Sequence, residues 1–169
     1  NPFLGLRAIR LCLQQETLFK TQIRALLRAS PYGKLRILLP MIATLEELKK
    51  AKALLAEETA ALKQQQIPIS DDWELGIMIE IPSAALIAES LASEVDFFSI
   101  GTNDLTQTTF GFSRDDAEGK FMQHYIDRKI LKENPFVTID PYGVGKLMDM
   151  AVKLGRSTKP NLPIGICGE

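Results

Sequence analysis

The sequence predicts an α/β fold of the (β/α)8 TIM-barrel type, present as a partial barrel with about four parallel strands. Three observations predict it. Apolar runs of strand length alternate with stretches of helical periodicity. The runs show almost no apolar–polar alternation, as expected of parallel strands buried on both faces. Polar residues collect where three successive runs end, at Glu80, at Asn103 with Asp104, and at Cys167. Barrels of this type gather their reactive side chains at the carboxyl ends of their strands. The 169 residues fall short of the ~250 of a full barrel. An open sheet of four strands would leave two unpaired edges, so self-association is expected.

Residues 4–29 read as helix, or two helices end to end. Leu6, Ile9 and Leu13 share one face, and Phe19, Ile23, Leu26 and Leu27 resume it. The Lys20, Arg24 and Arg28 ridge reads as a solvated face. Ser30-Pro31-Tyr32-Gly33 breaks the helix, and 35–42 is the first strand. Thr44 with Glu47 three residues on makes a capping box for a helix running to about residue 65, striped by Leu48, Ala51, Leu55 and Leu62. After a polar turn at 66–72, residues 75–81 form the second strand, which Glu80 interrupts near its carboxyl end. Pro82 stands at the first position of a short helix carrying Ala84, Ile87, Ala88 and Leu91. Residues 95–100 form the third strand, and 105–140 read as a long excursion with short helices. Asp140-Pro141 predicts a cap and first-turn proline for a helix whose inner face is Val144, Leu147, Ala151 and Leu154, with Gly155 just beyond its end. Residues 163–167 are the fourth strand.

Composition removes several classes of function. Lys and Arg total 20 against 21 Asp and Glu, a net charge of -1. That balance gives no footprint for nucleic acid or for an anionic membrane surface. No apolar run approaches the ~20 residues of a membrane helix. Two cysteines, Cys12 and Cys167, make no disulfide framework, and a reducing, cytoplasmic setting follows. One histidine excludes a His-rich zinc site. The opening Asn1-Pro2-Phe3, without initiator Met or signal peptide, reads as part of a longer protein.

Several residues at the strand ends are candidates for chemistry. Glu80 and Asp104, at neighbouring strand ends, could supply two carboxylate ligands to Mg²⁺ and leave positions for water and substrate oxygens. The residue pattern equally admits Glu80 paired with a buried Arg or Lys, and Asp104 capping the next helix. Arg7, at a helix start after Gly5, could clamp a phosphate or carboxylate, or lie on a solvated face. Cys167, between Gly165 and Gly168, could serve as nucleophile or proton donor, or be an inert buried thiol. Cys12 reads as a packing residue, and His124 has no motif around it.

The motifs resemble those of one family. Asn1-Pro2-Phe3-Leu4-Gly5-Leu6-Arg7-Ala8-Ile9-Arg10, Gly33-Lys34-Leu35-Arg36-Ile37, Ile79-Glu80-Ile81-Pro82 and the run from Asp96 through Gly101-Thr102-Asn103-Asp104 to Gln107 resemble the phosphoenolpyruvate (PEP)-binding barrel of the PEP-utilising enzymes. Residues 1–107 look most like the Enzyme I branch, the PEP-dependent phosphotransferases of sugar uptake. In residues 108–169, Phe110-Gly111-Phe112-Ser113-Arg114-Asp115-Asp116, Asn134-Pro135-Phe136, Gly143-Val144-Gly145 and Gly155-Arg156 look like pyruvate, phosphate dikinase, as in an engineered chimera of the two barrels or a divergent natural member.

The resemblance implies roles. Arg7 matches the arginine on the PEP phosphate, Asn103 and Arg114 match substrate contacts, and Glu80 and Asp104 match the Mg²⁺ ligands. Cys167 matches the cysteine that protonates the enolpyruvate carbon when pyruvate forms; a free thiol is mostly protonated at neutral pH, as a donor must be. The implied partners are PEP and pyruvate, a phosphohistidine domain of the same protein, a phosphocarrier protein if the chain is of the Enzyme I kind, and a second copy in a homodimer. All 169 residues would then be part of the PEP/pyruvate-binding barrel, with the phosphohistidine domain absent: His124 lacks that domain's Ser-His-Ala context. The implied activity is Mg-dependent exchange of phosphate between PEP and an enzyme histidine, which the isolated chain would not complete by itself. The alternatives are the dikinase reaction and, in a different class, a non-catalytic excised or engineered half-barrel scaffold.

Overall fold

A computed structural model describes residues 4–168; Asn1, Pro2, Phe3 and Glu169 lie outside the described residues. Four parallel strands form one sheet in the order β1 (Leu35–Leu39), β2 (Trp73–Ile79), β3 (Phe97–Gly101), β4 (Ile164–Cys167). The helices are α1 (Ala8–Gln14), α2 (Glu16–Ala29), α3 (Leu45–Gln64), α4 (Pro82–Leu86), α5 (Ala88–Ala92), α6 (Thr102–Phe110), α7 (Arg114–Lys120), α8 (Met122–Asp127) and α9 (Val144–Thr158). Each pair of neighbouring strands is joined by helix, so the strands run parallel and all end on one rim. The fold is α/β, a partial barrel of the expected type.

The capping box of α3 forms as expected. Glu47 N–H donates to Thr44 Oγ1 at 3.2 Å, and the Ala43 and Thr44 N–H groups donate to Glu47 Oε2 at 2.7 and 3.0 Å. Three unpaired donors at the helix start are thereby satisfied. The basic ridge of α2 is less solvated than expected: Lys20 pairs with Glu57 at 2.6 Å and Arg24 with the buried Glu58 at 3.0 Å, lacing α2 to α3.

The expectation of strands buried on both faces is corrected. Burial alternates along most of β1 and β3, while in β2 the run Leu75, Gly76 and Ile77 is buried throughout, Gly76 lying against the Phe97 ring. Ile37, Leu39, Leu75, Ile77, Ile79, Phe98 and Ile100 share one face and join a single core with the inner faces of the helices. The register puts Arg36, Glu74, Gly76, Phe97, Met78, Ser99 and Cys167 on the opposite face, which no helix among the described residues covers. That face is mixed: Arg36 pairs with Glu74 at 2.5 Å, and its guanidinium lies 5.5 Å from the Phe97 ring centre. The apolar runs conceal this because Leu38, Met78 and Phe97 are apolar residues on the open face.

Two further expectations shift. Asp140 does cap the last helix, its Oδ2 accepting from Gly143 N–H at 2.6 Å and Val144 N–H at 3.1 Å. The helix therefore begins at Val144, and Pro141 lies in the turn before it. Gly155 falls inside α9 rather than ending it. The reason is packing: a Cβ there would stand 2.8 Å from Phe98 Cε2 and 3.0 Å from Leu162 Cδ2. The glycine lets α9 approach β3 closely.

Residues 110–142 have a small core of their own, Ala117, Met122 and Phe136, with Phe112, Phe121, Ile126 and Leu131 around it. The Phe112 and Phe121 rings meet edge-on, 5.0 Å between centres. This excursion is built, and it carries Arg114 on the first turn of α7.

Candidate functional site

The carboxyl ends of β2 and β3 place Glu80 and Asp104 side by side. Glu80 follows β2 directly and is 5% exposed. Its Oε1 accepts the Met41 N–H at 2.6 Å, from the chain leaving β1. Asp104 sits in the first turn of α6, where a helix N-terminus favours negative charge. Its Oδ1 accepts from Gln107 Nε2 at 2.7 Å, and its Oδ2 lies 3.9 Å from Arg7 Nη1. Asp104 does not cap its helix, and Glu80 is not sheathed by a buried cation.

Burial first, and then the adjacent Asp104 carboxyl by charge and by hydrogen bonding, raise the Glu80 carboxyl from its ordinary 4.5 to about 7, against the Met41 N–H and Arg7, which pull the other way. Two carboxyls crowded together with little solvent resist ionising together, and a bound cation would relieve them. Gly101 makes room for this arrangement: a Cβ there would stand 3.0 Å from Glu80 Oε2. The hard oxygen donors, their closeness and this cradle fit a divalent cation such as Mg²⁺, with two protein ligands and other positions open to water or substrate.

The cationic wall comes from two other elements. Arg7 stands at the N-cap of α1 with its side chain about half exposed. Arg114 opens α7; its Nη1 donates to Asn103 Oδ1 at 3.3 Å, and its guanidinium lies 5.6 Å from the Phe136 ring centre. Arg7, Asn103, Asp104, Gln107 and Arg114 line one cleft of about 500 Å³. Asp115 and Glu118 line it too, with Glu118 Oε2 3.5 Å from Arg114 Nε, so the two guanidiniums share the cleft with three carboxylates, and Glu80 stands beside Asp104 outside its lining.

Backbone conformation marks the same place. Four described non-glycine residues have positive φ: Ala8 at 51°, Met41 at 61°, Gln66 at 57° and Lys129 at 57°. Gln66 and Lys129 follow helix ends and carry the paired bonds of a left-handed C-cap: Ile67 N–H to Leu62 O and Gln66 N–H to Lys63 O, each 3.0 Å, then Ile130 N–H to Tyr125 O and Lys129 N–H to Ile126 O, each 2.9 Å. Ala8 and Met41 have no such explanation. Ala8 follows Arg7, and Met41 is the residue whose N–H holds Glu80. Backbone strain of about 1–3 kcal/mol persists where the surroundings over-determine it, typically at sites.

Cys167 ends β4 on the same rim and on the open face of the sheet. The Ser99 hydroxyl donates to its Sγ at 3.5 Å, and Met78 Sδ also lies 3.5 Å away. It is exposed, which removes the reading of an inert buried thiol. It does not line the cleft of the two arginines. Cys12 is half-buried and packs against the core, and burial raises its thiol above the ordinary value. His124 is exposed on α8 and takes no part. The roles of Gln107 and Met41 are the structure's additions. Gln107 stands within the Asp104-Leu105-Thr106-Gln107 motif, three residues after Asp104, a helical spacing that could have pointed to it; nothing in the sequence marks Met41.

A profile for the family described as "PEP-utilising enzyme, PEP-binding domain" matches residues 1–169. The chain belongs to this family. As a PEP-utilising PEP-binding domain, it is similar over its whole length to curated proteins called phosphoenolpyruvate-protein phosphotransferase. It is 47% identical to that of Priestia megaterium, 46% to that of Bacillus subtilis (strain 168) and 47% to that of Staphylococcus aureus. The chain spans 27% of the length of each of these relatives. The match runs through 108–169 as well as 1–107. Among solved structures, a citrate lyase from Burkholderia xenovorans LB400 superposes with a TM-score of 0.55 at 18% identity, covering 85% of this chain and 39% of that one. At that identity the likeness speaks for the fold. No helix among the described residues is long and apolar enough to cross a membrane.

Proposed function

We propose that this chain is the PEP- and pyruvate-binding part of a Mg²⁺-dependent phosphotransferase of the Enzyme I kind, which exchanges phosphate between PEP and a histidine on another domain of the same protein. One observation carries the reading: the Glu80 and Asp104 carboxyls lie together, with Arg7 Nη1 3.9 Å from Asp104 and Arg114 in the same cleft. PEP is a small trianion, and its carboxylate and phosphate need cationic partners at fixed spacing. Arg7 and Arg114 supply planar, bidentate donors, and Asn103 supplies an amide. Glu80 and Asp104 would hold Mg²⁺, which when bound stabilises negative charge developing on the substrate oxygens.

In the direction of pyruvate formation, the bond between phosphorus and the enol oxygen breaks as the histidine nitrogen takes the phosphoryl group, leaving the enolate of pyruvate. Arg7 follows the phosphate and neutralises it. The enolate carbon then takes a proton from Cys167 Sγ, placed on the rim yet outside the ligand pair, and pyruvate results. Exposure of the thiol suits a donor that solvent must reprotonate. The whole protein would hand phosphate on to a phosphocarrier protein and work in the cytoplasm, where Cys12 and Cys167 stay free thiols.

Isothermal titration tests the reading. PEP is expected to bind this chain only with Mg²⁺ or Mn²⁺ present, and Arg7→Ala and Asp104→Asn should each weaken that binding at least about tenfold. A folded chain that takes up neither cation nor PEP would instead be a scaffold without a working site.

A further inference from the structure

We infer that Gln107 is a positioning residue that couples the carboxylate of Asp104 to the helix carrying Arg114, so that cation binding and ordering of the Arg114 segment depend on each other. This rests on the reading of Glu80 and Asp104 as cation ligands. Gln107 lies one turn after Asp104 on α6 and is 6% exposed, unusual for a glutamine. Its amide is used at both ends. Nε2 donates to Asp104 Oδ1 at 2.7 Å, and Oε1 accepts the Arg114 backbone N–H at 2.8 Å. The two neighbours fix which end is which, since a carboxylate can only accept and a backbone N–H can only donate. Glutamate could not donate to Asp104 when ionised, and lysine could not accept from Arg114; a primary amide does both.

Each end has a consequence. Binding Oδ1 leaves Asp104 Oδ2, the oxygen on the Arg7 side, for cation and substrate. The Arg114 N–H is one of the first-turn donors of α7 that a helix leaves without an internal partner. Ser113, at the N-cap, makes no side-chain cap bond. Gln107 supplies the acceptor from the preceding helix. Its backbone carbonyl also accepts from Gly111 and from Phe112, the latter at 3.0 Å, so one residue pins the whole turn between α6 and α7. A cation that fixes Asp104 therefore strengthens the anchor of α7, and by linkage an ordered α7 favours the cation.

The experiment uses this chain, Mn²⁺ affinity from the electron paramagnetic resonance signal of the free ion, and hydrogen–deuterium exchange of residues 111–120 with and without Mg²⁺. Wild type should bind Mn²⁺ and gain protection across 111–120 on adding Mg²⁺. Gln107→Met, similar in length but without either hydrogen bond, should bind Mn²⁺ about tenfold more weakly, as for one lost charge-assisted hydrogen bond, and lose the Mg²⁺-dependent gain. Wild-type affinity together with an undiminished gain would overturn the inference and leave the proposed cation site standing. Absence of Mn²⁺ binding in wild type would overturn both. A purely structural role would lower protection with and without Mg²⁺ and keep the increment, which also overturns the coupling. Should Gln107→Met not fold, Gln107→Glu at pH 8 carries the test: it keeps the acceptor for Arg114 and loses the donor to Asp104. Metal-free protection should then stay near wild type while the Mg²⁺ increment vanishes; a retained increment would overturn the inference.

Discussion

Replacing Glu80 by glutamine should make the metal-free chain more stable at alkaline pH, though the substitution touches the centre of the site. The Glu80 carboxyl is raised from 4.5 to about 7, chiefly by burial and then by Asp104. Below its unfolded value the group is protonated in folded and unfolded chains alike and costs nothing. As pH rises past 4.5 the unfolded chain releases the proton and the folded one keeps it, so stability falls by about 1.4 kcal/mol per pH unit. The loss is complete once pH passes the folded value near 7. The full shift converts to about 3 kcal/mol, and allowing for partial access of solvent leaves about 2–3 kcal/mol. Glutamine keeps an oxygen for the Met41 N–H and offers an amide to Asp104, so it loses the charge and not the packing. Urea unfolding followed by circular dichroism, in chelator at pH 4.5, 6 and 8, measures the difference between the two proteins, in which the other titrating groups largely cancel. The gap should be small at pH 4.5 and widen to about 2–3 kcal/mol at pH 8 in favour of Glu80→Gln, or about 5–10 °C in midpoint for a chain of this size. Saturating Mg²⁺ should close the gap by stabilising wild type alone. A constant difference from pH 4.5 to 8 would refute the reasoning, because the buried charge would then be stabilised by something other than a cation.

Arg7→Ala should weaken PEP binding about 10–100-fold, as expected for lost charge-assisted hydrogen bonds, with little change in unfolding midpoint because the side chain is half exposed; titration calorimetry and thermal melts report the two separately. Cys167→Ala, placed in the full-length protein, should lower pyruvate formation by ~10²–10⁴-fold and leave PEP affinity nearly unchanged; near-normal turnover would mean another group supplies the proton. Gly155→Ala should destabilise the chain by about 1–2 kcal/mol where an ordinary mid-helix Gly→Ala gains about 1, since the new Cβ meets Phe98 at 2.8 Å; chemical denaturation gives the sign. Light scattering should show association that rises with concentration, because β1 and β4 are open edges and one sheet face lies uncovered; a monomer at all concentrations would mean the edges are protected in solution.

What was legible in the sequence, and what was not, divides along a physical line. The strands, the capping box at Thr44 and Glu47, and the convergence of Glu80 and Asp104 on one end of the sheet all follow from local pattern plus one topological rule, whereas Arg7, at a helix start, is brought to them only by the family resemblance. A strand's carboxyl end can be read from where its apolar run stops, and parallel connection brings successive ends to one rim. The open face of the sheet could not be read, because a strand with Leu38 or Met78 on its outer side looks the same as one buried on both sides. Gly155 misled for a related reason: a glycine near a helix end is read as a stop, when what selects it is the Phe98 ring on another element.

The features missing from the sequence reading at the site share a cause as well. Met41 donates its backbone N–H to Glu80 across 39 residues of chain, from a φ of 61° that a methionine rarely adopts. Side-chain identity carries no trace of that bond. It is a price accepted at one residue so that a carboxylate keeps its position while its charge is disfavoured. Gln107 works the other way: its identity matters at both ends of the amide, yet one of its partners is a backbone N–H, which has no letter in the sequence. Both residues hold the Glu80 and Asp104 carboxyls in place without being part of the pair. Composition and spacing can nominate the groups that carry charge, whereas the backbone groups that aim those charges emerge only when strands distant in sequence come to share a rim.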